Sequence, residues 1–393
     1  MRRCPVFLLL LLFAAGCEKF DSRIERKQLD GDYQCYTLSN GYIGVTVMPQ
    51  IGGMVSGIRY LPENRELFRK QEITVEKDDL LPPFPVISST GITDYLWGVT
   101  TKGKIPARIR QLTETPDEVC ITMSDRFFRM LDCEWTKKVT LKRGRSAFQV
   151  EMNFFNRSKK VLDIAVWQNI LPALGRGRKS DIIVMPSKGQ IRVVGRRKVK
   201  FFTEDTVFQE RDSLDQEVFA APARPWLSAR NELFPGILVM RTSESLAGEG
   251  AFFYTYKNAT IHTMEFIGKS ISIRPGECTA VNIEYAFFPG MHNISEVFGR
   301  EISTAVYAVL DGKKICMEWQ CSGTSPAVEW EFFLTGINGG RFSLGKHFIP
   351  GLEVGRLFSI ALPLPEGIPA GKYRLSGAGG GENFSIVQCF TVP

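Results

Sequence analysis

The segment from residue 88 to residue 98 combines side chains that suit sugar recognition. It reads SSTGITDYLWG, so Asp94, Tyr95 and Trp97 fall within one loop-like stretch. Sugar sites tend to offer an aromatic face to the apolar side of the ring and carboxylate or amide groups to its hydroxyls. We therefore predict that these three residues contact a substrate. The alternative is that Tyr95 and Trp97 anchor a loop in the core.

A second aromatic candidate is Trp226, in the run ARPWLSARN. The sequence predicts a further stacking platform at Trp226, with Arg224 and Arg230 beside it to bind polar groups of a substrate.

Motifs for nucleophilic, nucleotide or metal chemistry are missing from the sequence. It has no GxSxG elbow, no P-loop, no GxGxxG after a strand and no cysteine with a local histidine signature. The nine cysteines include no CxxC and no Cys/His cluster that would suit zinc. We therefore predict no metal and no cofactor. Cys120 and Cys133 fall in consecutive strand-like runs, where either a cross-strand disulfide or buried thiols would fit.

The charge of the chain is modest overall and concentrated in one region. The formal net charge is +7, which is no signature of nucleic-acid binding. Residues 176–200 hold nine basic side chains and a single acid, Asp181. This run is either a solvated pair of hairpins or a surface for an anionic glycan or lipid headgroup.

The N-terminus resembles the export signal of a bacterial lipoprotein. The first 17 residues, MRRCPVFLLLLLFAAGC, contain two arginines, an apolar run at 6–13 and small residues before Cys17. The apolar run is too short to span a bilayer. We predict a signal peptide at 1–16, a lipid on Cys17, a polar tether at 17–30, and a lipid-anchored protein of the bacterial cell envelope. The alternative is an ordinary signal peptide with Cys17 incidental.

Almost everything after residue 30 alternates polar and apolar residues with the period of a β-strand. Runs such as AFQVEMNFFN and CEWTKKVTLKRG recur without long helical windows between them, which predicts an all-β protein with large antiparallel sheets. Residues 203–221 are the expected interruption, as a short helix or a long loop. A boundary near 289–303 divides a large domain, 31–296, from a segment at 297–393. The latter reads as about seven short strands, typical of an immunoglobulin-like sandwich.

The opening of the large domain, LSNGYIGVTVMPQIGGMVSGIRYLPENRELF, resembles the first hairpin of galactose mutarotase-like (aldose 1-epimerase-like) domains. The matching positions are Asn40 and Gly41, Pro49 at a strand end, and the pair Gly52 and Gly53. The segments FFNRSKKVLDIAVWQNILP and HTMEFIGKSISIRPGECTAVNIEYAFF resemble later strands of the same family, in the same order. The resemblance covers roughly residues 31–290 and implies a large antiparallel β-supersandwich that binds carbohydrate.

The same resemblance identifies a candidate catalytic position and a departure from it. Aldose epimerases transfer protons with a glutamate and a histidine that face each other across the sugar ring. Glu265 lies on the strand that resembles the one with the catalytic glutamate, and is the candidate acid or base. The catalytic histidine is replaced by Trp167 and Gln168, which would stack on a sugar and bind its hydroxyls. His262, three residues from Glu265, is a second catalytic candidate, although a regular strand would point the two to opposite faces.

Three functional interpretations remain open at this level. The first is an envelope-anchored lipoprotein that binds carbohydrate, neutral or anionic, without the epimerase acid–base pair. The second is a carbohydrate-active enzyme, an epimerase, lyase or hydrolase that uses Glu265. The third is a structural envelope protein that binds no sugar.

Overall fold

The computed structural model describes most of the chain after residue 21. The described residues are 22–29, 33–67, 75–77, 85–87, 93–96, 106–127, 132–175, 181–195, 199–203, 206–210, 216–258 and 262–393. The predicted signal peptide, Cys17 and Trp97 lie outside them. Within them, no helix has the length and hydropathy needed to cross a bilayer.

The N-terminal part forms a five-stranded sheet in the order β1-β2-β3-β4-β5, a separate pair β6-β7, and a strand that joins the next sheet. The strands are β1 Arg23–Leu29, β2 Tyr33–Ser39, β3 Ile43–Met48, β4 Met54–Tyr60, β5 Arg65–Glu66, β6 Val75–Lys77, β7 Pro85–Ile87 and β8 Thr93–Leu96. A 3-10 helix, Pro49–Ile51, follows β3. Residues 23–29, predicted as part of a tether, instead pair with β2 as the edge strand of this sheet.

The centre of the protein is a fifteen-stranded antiparallel sheet, with the order β8-β14-β22-β21-β18-β15-β19-β20-β24-β12-β11-β10-β9 and with β16 and β17 paired to β15. A small sheet β13-β23 lies apart from it. The strands are β9 Arg108–Glu114, β10 Glu118–Phe127, β11 Cys133–Lys142, β12 Ala147–Asn156, β13 Leu162–Ile164, β14 Val166–Ile170, β15 Asp181–Gly195, β16 Val199–Thr203, β17 Thr206–Glu210, β18 Gln216–Pro222, β19 Trp226–Asn231, β20 Ile237–Arg241, β21 Phe252–Lys257, β22 Met264–Ile267, β23 Ile271–Ile273 and β24 Cys278–Phe288.

The C-terminal part is a smaller sandwich of two antiparallel sheets, β25-β26-β27-β30 and β29-β28-β31-β32 with β33 paired to β31. The strands are β25 Glu296–Phe298, β26 Thr304–Asp311, β27 Lys314–Cys321, β28 Val328–Gly336, β29 Arg341–Ile349, β30 Phe358–Pro363, β31 Gly371–Gly379, β32 Glu382–Ser385 and β33 Phe390–Val392. The two sheets enclose a core with Trp319, Trp330 and Phe332, as in immunoglobulin-like sandwiches. The predicted all-β class is confirmed.

One sequence expectation about local structure is wrong, and of the two alternatives for Cys120 and Cys133 the buried thiols are confirmed. Residues 203–221, expected as a helix or a loop, contain β17 and most of β18, which both pair with β15. Cys120 and Cys133 form no disulfide, since every cysteine of the described residues is free and these two are buried. They lie on neighbouring strands, but Cys120 is opposite Thr140 and Cys133 is opposite Phe127.

The first hairpin owes its shape to one buried amide and two glycines. The Asn40 Oδ1 accepts hydrogen bonds from the backbone N–H groups of Tyr42 and Ile43, and its Nδ2 donates to two carbonyls near the β11–β12 turn. Gly52 and Gly53 have φ of 60° and 66°, a left-handed conformation that glycine adopts without strain. These residues fix the five-stranded sheet against the large one.

The two main sheets share one core, and the small sandwich joins it through a second apolar layer. Leu38, Val45 and Val55 of the N-terminal sheet pack in the same cluster as Phe148 and Phe253 of the large sheet. The second layer contains Trp226 and Ile237 of the large sheet together with Met291, Val297 and Ala305 at the start of the small sandwich.

The buried side chain of Asn156 closes β12 with four hydrogen bonds, and its loss tests this turn. Its Nδ2 donates to the carbonyls of Lys160 and Ile273, at 2.7 and 2.8 Å, and its Oδ1 accepts from the backbone N–H and hydroxyl of Ser158. Asn156→Ala leaves these groups unpaired, so we expect the free energy of unfolding to fall by about 3 kcal/mol. Asn338→Ala, in the exposed β28–β29 turn, is the matched control in urea denaturation. Equal effects of the two variants would contradict the assigned role.

Candidate functional site

The candidate site lies on the side of the large sheet that turns away from the core. Along β14, β21 and β18, alternate side chains are buried, among them Gln168, Phe253 and Val218. The intervening side chains are half-buried and face the other way. We call this surface, together with the neighbouring residue of β22, the Glu265 face; it comprises Trp167, Asn169, Glu217, Phe219, Phe252, Tyr254, Tyr256 and Glu265.

Register brings the members of the Glu265 face together although they come from separate parts of the sequence. Glu265 is opposite Asn169 on one neighbouring strand and opposite Tyr254 on the other. Tyr254 in turn is opposite Phe219 of β18. Because paired residues of an antiparallel sheet project to the same side, these side chains form one continuous row across four strands.

The centre of the row is a hydrogen bond between an indole and a carboxylate. The Trp167 Nε1–H donates to Glu265 Oε2 at 2.6 Å, and only 2% of Glu265 is exposed. Burial raises the pKa of Glu265 to about 7, while hydrogen bonds from Thr263 and Trp167 oppose the shift and the charge of Glu217 adds to it. The carboxyl group therefore gains or loses a proton near neutral pH, the range in which an acid–base group is most effective.

An aromatic row adjoins this carboxyl group. The rings of Phe219 and Tyr254 lie with centroids 4.8 Å apart, and Phe252 is 6.1 Å from Phe219. The Arg192 guanidinium lies 5.8 Å from the centroid of Phe219. Burial and the charges of Glu217 and Glu265 raise the pKa of the Tyr254 hydroxyl, so it remains a hydrogen-bond donor. The face thus offers apolar rings beside carboxylates and a cation.

Sequence reasoning missed these aromatic residues. The run FFYTYK of β21 places aromatic side chains on both sides of the strand, so alternation alone does not tell which side is open. The signal that identifies the open side of β21 is its partner strand β18. There Glu217 and Phe219 alternate with Val218 and Ala220, which are fully buried.

Two residues predicted for the same site point elsewhere. Gln168 is fully buried and accepts a hydrogen bond from the Tyr285 hydroxyl at 3.0 Å, so it belongs to the core and cannot reach a sugar on the Glu265 face. His262 is also buried and pairs with Lys257 in an isolated bridge. Burial raises the pKa of Asp181 to about 6, and the interaction with His262 opposes that shift. The structure brings Trp167 and Glu265 together but leaves Gln168 on the other side of the sheet.

Trp226 and Arg224 lie at the junction with the small sandwich. Trp226 is fully buried, and its Nε1–H donates to Glu296 Oε1 at 2.7 Å, so it cannot stack on a ligand in this structure. The Arg224 Nε donates to the other oxygen of Glu296 at 3.0 Å, and its Nη2 donates to the carbonyl of Ser385. Both residues hold the two parts of the protein together.

The remaining predicted residues are only partly described. The backbone of β8 pairs with β14 so that Tyr95 is opposite Trp167 and Asp94 is opposite Gln168. Tyr95 therefore occupies the register position next to Trp167, at the edge of the large sheet. Of the basic run at 176–200, the described and exposed members are Lys188, Arg192 and Lys200.

No group of three or more His, Cys, Asp or Glu residues in the described part of the chain is arranged to hold a metal ion. What the Glu265 face offers is a carboxyl group that titrates near neutrality, a second carboxylate at Glu217, and an aromatic surface. That combination can stack on and hydrogen-bond to a hydroxylated ring, or transfer a proton to one.

Comparison with known proteins agrees on the fold. No known family profile and no curated protein sequence matches the chain. Among solved structures, a TPR-domain containing protein from Parabacteroides distasonis superposes with a TM-score of 0.56 and 15% identity over 68% of this chain. This chain matches about half of that protein, 49% of its length. A galactose mutarotase-like protein from Clostridium acetobutylicum superposes with a TM-score of 0.53 and 9% identity, covering 68% of this chain and 98% of its own.

The large part of the chain has the galactose mutarotase-like fold. The match to nearly the whole of the Clostridium acetobutylicum protein leaves about a third of this chain unmatched. Identities this low establish the shared architecture of the mutarotase-like domain alone, so its activity has to be argued from the residues of the Glu265 face.

The raised pKa of Glu265 makes a testable contribution to stability. Because the folded pKa lies above the ordinary value of 4.5, the contribution is present below about pH 4.5 and is lost as pH rises through about 7. The Glu265→Gln variant has no carboxyl group to ionise, so it does not undergo this loss of stability. Its amide oxygen can still accept the hydrogen bond from the Trp167 Nε1–H. We expect the stability of the variant relative to the native protein to increase by about 3 kcal/mol between acidic and mildly alkaline pH. Urea denaturation across this range, with Glu366→Gln on the exposed surface as control, measures it. A pH-independent difference for Glu265→Gln would contradict the assignment.

Proposed function

We propose that the mutarotase-like domain binds carbohydrate on the Glu265 face and does so without the epimerase acid–base pair. The observation that supports this most directly is the Trp167–Glu265 hydrogen bond beside the adjacent rings of Phe219 and Tyr254. An indole has no proton to exchange at neutral pH, so the tryptophan provides a surface where a histidine would provide proton transfer.

The polar groups around the rings match the hydroxyls of a sugar. The Asn169 Oδ1 is buried and has no hydrogen-bond partner among the described residues, which is costly unless a ligand or water donates to it. Asn169 is directly opposite Glu265 in the sheet. A sugar stacked on Tyr254 would present its hydroxyls to this amide and to the carboxylates of Glu217 and Glu265.

The proposal extends to location and to the charge of the ligand. The lipobox-like AAGC before Glu18 supports a protein attached to the bacterial envelope by a lipid on Cys17. Arg192, above Phe219, would favour a glycan that carries carboxylates, whereas the aromatic row alone would bind neutral glycans. The salt dependence of binding separates these two options, because exposed charge pairs weaken with ionic strength and stacking does not.

A glycan array tests binding on this face. We expect Tyr254→Ala to lower the affinity for the bound glycans about tenfold, since one stacking ring and one hydroxyl donor are lost. Phe348→Ala, an equally drastic truncation of an exposed ring on β29, should leave the affinity unchanged. Each variant is read at low and at physiological salt. Full binding by Tyr254→Ala would place the site elsewhere, and an array without any binding would favour a structural envelope protein.

A second candidate function is catalysis on carbohydrate, because two carboxylates share this face. Glu217 lies near enough for its charge to raise the pKa of Glu265 further, so the two carboxyl groups interact on this face. Such a pair can act as general acid and general base in glycoside chemistry, or as the base of a lyase.

Turnover distinguishes an enzyme from a binding protein. If the protein is an enzyme, Glu265→Gln should lower kcat about 100-fold or more while the affinity for the glycan changes little. A binding protein would show no turnover before or after the substitution. The assay follows release of reducing ends, unsaturated products and anomeric interconversion on the glycans retained by the array, with Glu366→Gln as the matched control.

A further inference from the structure

Between the large sheet and the small sandwich lies an open cavity of about 1130 Å³, the inter-sandwich cleft. One wall is formed by the large sheet, including Arg241 and Asn282, and the other by the small sandwich, including Phe333 and Arg341. Sites for small organic ligands usually measure about 300–1000 Å³, so this cleft suits a ligand of several linked units.

The floor of the cleft is a built structure whose charges are already paired. The Arg224 guanidinium contacts Glu296 at 3.0 Å, and Arg241 contacts Glu284 at 3.5 Å. Glu284 also accepts a hydrogen bond from the Ser303 hydroxyl, and the carbonyl of Gly299 accepts one from Arg241. The contacts Arg224–Glu296, Arg241–Gly299 and Ser303–Glu284 join the large sheet to the small sandwich. The cleft therefore has a fixed shape and its floor has no free charge to offer.

The walls, in contrast, carry polar groups without partners. The guanidinium groups of Arg300 and Arg341 form no salt bridge within the described residues. Arg341 is stacked over the ring of Phe333 at 3.6 Å, which orients its plane and leaves its in-plane N–H groups available. Asn282 and Asn383 expose side-chain amides that make no hydrogen bond within the same residues.

We propose that the inter-sandwich cleft is a second ligand site, which takes an oligosaccharide that carries carboxylate groups. Guanidinium forks bind carboxylates in two parallel hydrogen bonds, and side-chain amides both donate to and accept from hydroxyls, which is the mixture a uronic-acid chain presents. This site does not depend on the Glu265 face, because it shares no residue with it.

The acids in the cleft determine how such a ligand would lie. Glu382 accepts a hydrogen bond from the Arg300 backbone N–H, and Glu244 is exposed on the turn after β20. A ligand carboxylate close to Glu244 would be repelled. The carboxylates are therefore expected against Arg300 and Arg341, with the hydroxyls facing Asn282 on the large sheet.

The test is calorimetric titration of the full-length protein with a tetrasaccharide of galacturonic acid at low salt. The matched ligand is its methyl ester, which keeps the shape and removes the charge. We expect the acid to bind more tightly than the ester. The double variant Arg300→Ala/Arg341→Ala should lower affinity for the acid at least tenfold, because each guanidinium contributes charge-assisted bonds. Lys313→Ala/Lys372→Ala removes two exposed cations of the small sandwich outside the cleft, and should bind normally. Equal melting temperatures establish that both variants are folded.

Several results would overturn the proposal. One is equal binding of acid and ester, and another is normal binding by the arginine double variant. Binding of an oligoglutamate of the same charge with equal affinity would show that the cleft recognises charge and not sugar. Tyr254→Ala separates the two sites: the cleft proposal requires it to keep the binding component that the arginine double variant removes, even if it loses the glycans, carboxylated or neutral, bound on the Glu265 face. The two variants therefore test the two sites separately, so that loss of one proposal leaves the other standing.

Discussion

The pleat of the large sheet determines which side chains lie on the Glu265 face and which are enclosed in the core. On β14, Trp167 and Gln168 are neighbours in sequence, yet one lies on the open face and the other is enclosed in the core. A register slip of one residue between β14 and β22 would exchange them and bury the candidate site. The hydrogen bond of Gln168 with Tyr285 on the core side opposes such a slip, so a core contact secures the position of the Trp167–Glu265 pair.

The indole–carboxylate contact is the central polar contact of the Glu265 face. A carboxylate at 2% exposure needs donors or a proton, because desolvation disfavours its charge. Hydrogen bonds from Thr263 and Trp167 only partly oppose this desolvation, and the pKa rises to about 7. The side chain can thus accept from or donate to a sugar hydroxyl according to its protonation state. A histidine in place of the tryptophan would have added a second exchangeable proton.

The sequence predicts the architecture well and the site only in part. Alternating runs such as AFQVEMNFFN identify strands because one face of each is buried. The turn residues of the first hairpin, Asn40 and Gly41, are also recognisable in the sequence. Trp226 could not be placed in the same way, since a tryptophan suits both a sugar platform and a buried junction. Its role depends on Glu296, which is 70 residues away in the chain. Residues 203–221 were misjudged because charged residues surround the short strands β17 and β18, whose partner is the long β15.

A tryptophan donates a hydrogen bond to a buried glutamate at two places in this protein, and the two pairs differ in the charged groups around them. Trp226 binds Glu296 as Trp167 binds Glu265, and burial raises the pKa of both glutamates to about 7. At Glu296 the value of about 7 already includes the opposing charge of the Arg224 guanidinium, which adds a second contact and fixes the junction between the sandwiches. At Glu265 the neighbouring charge is another carboxylate, that of Glu217, which raises the pKa further. The neighbouring charge, a cation at Glu296 and a carboxylate at Glu265, therefore distinguishes the glutamate of the junction from the glutamate of the proposed site.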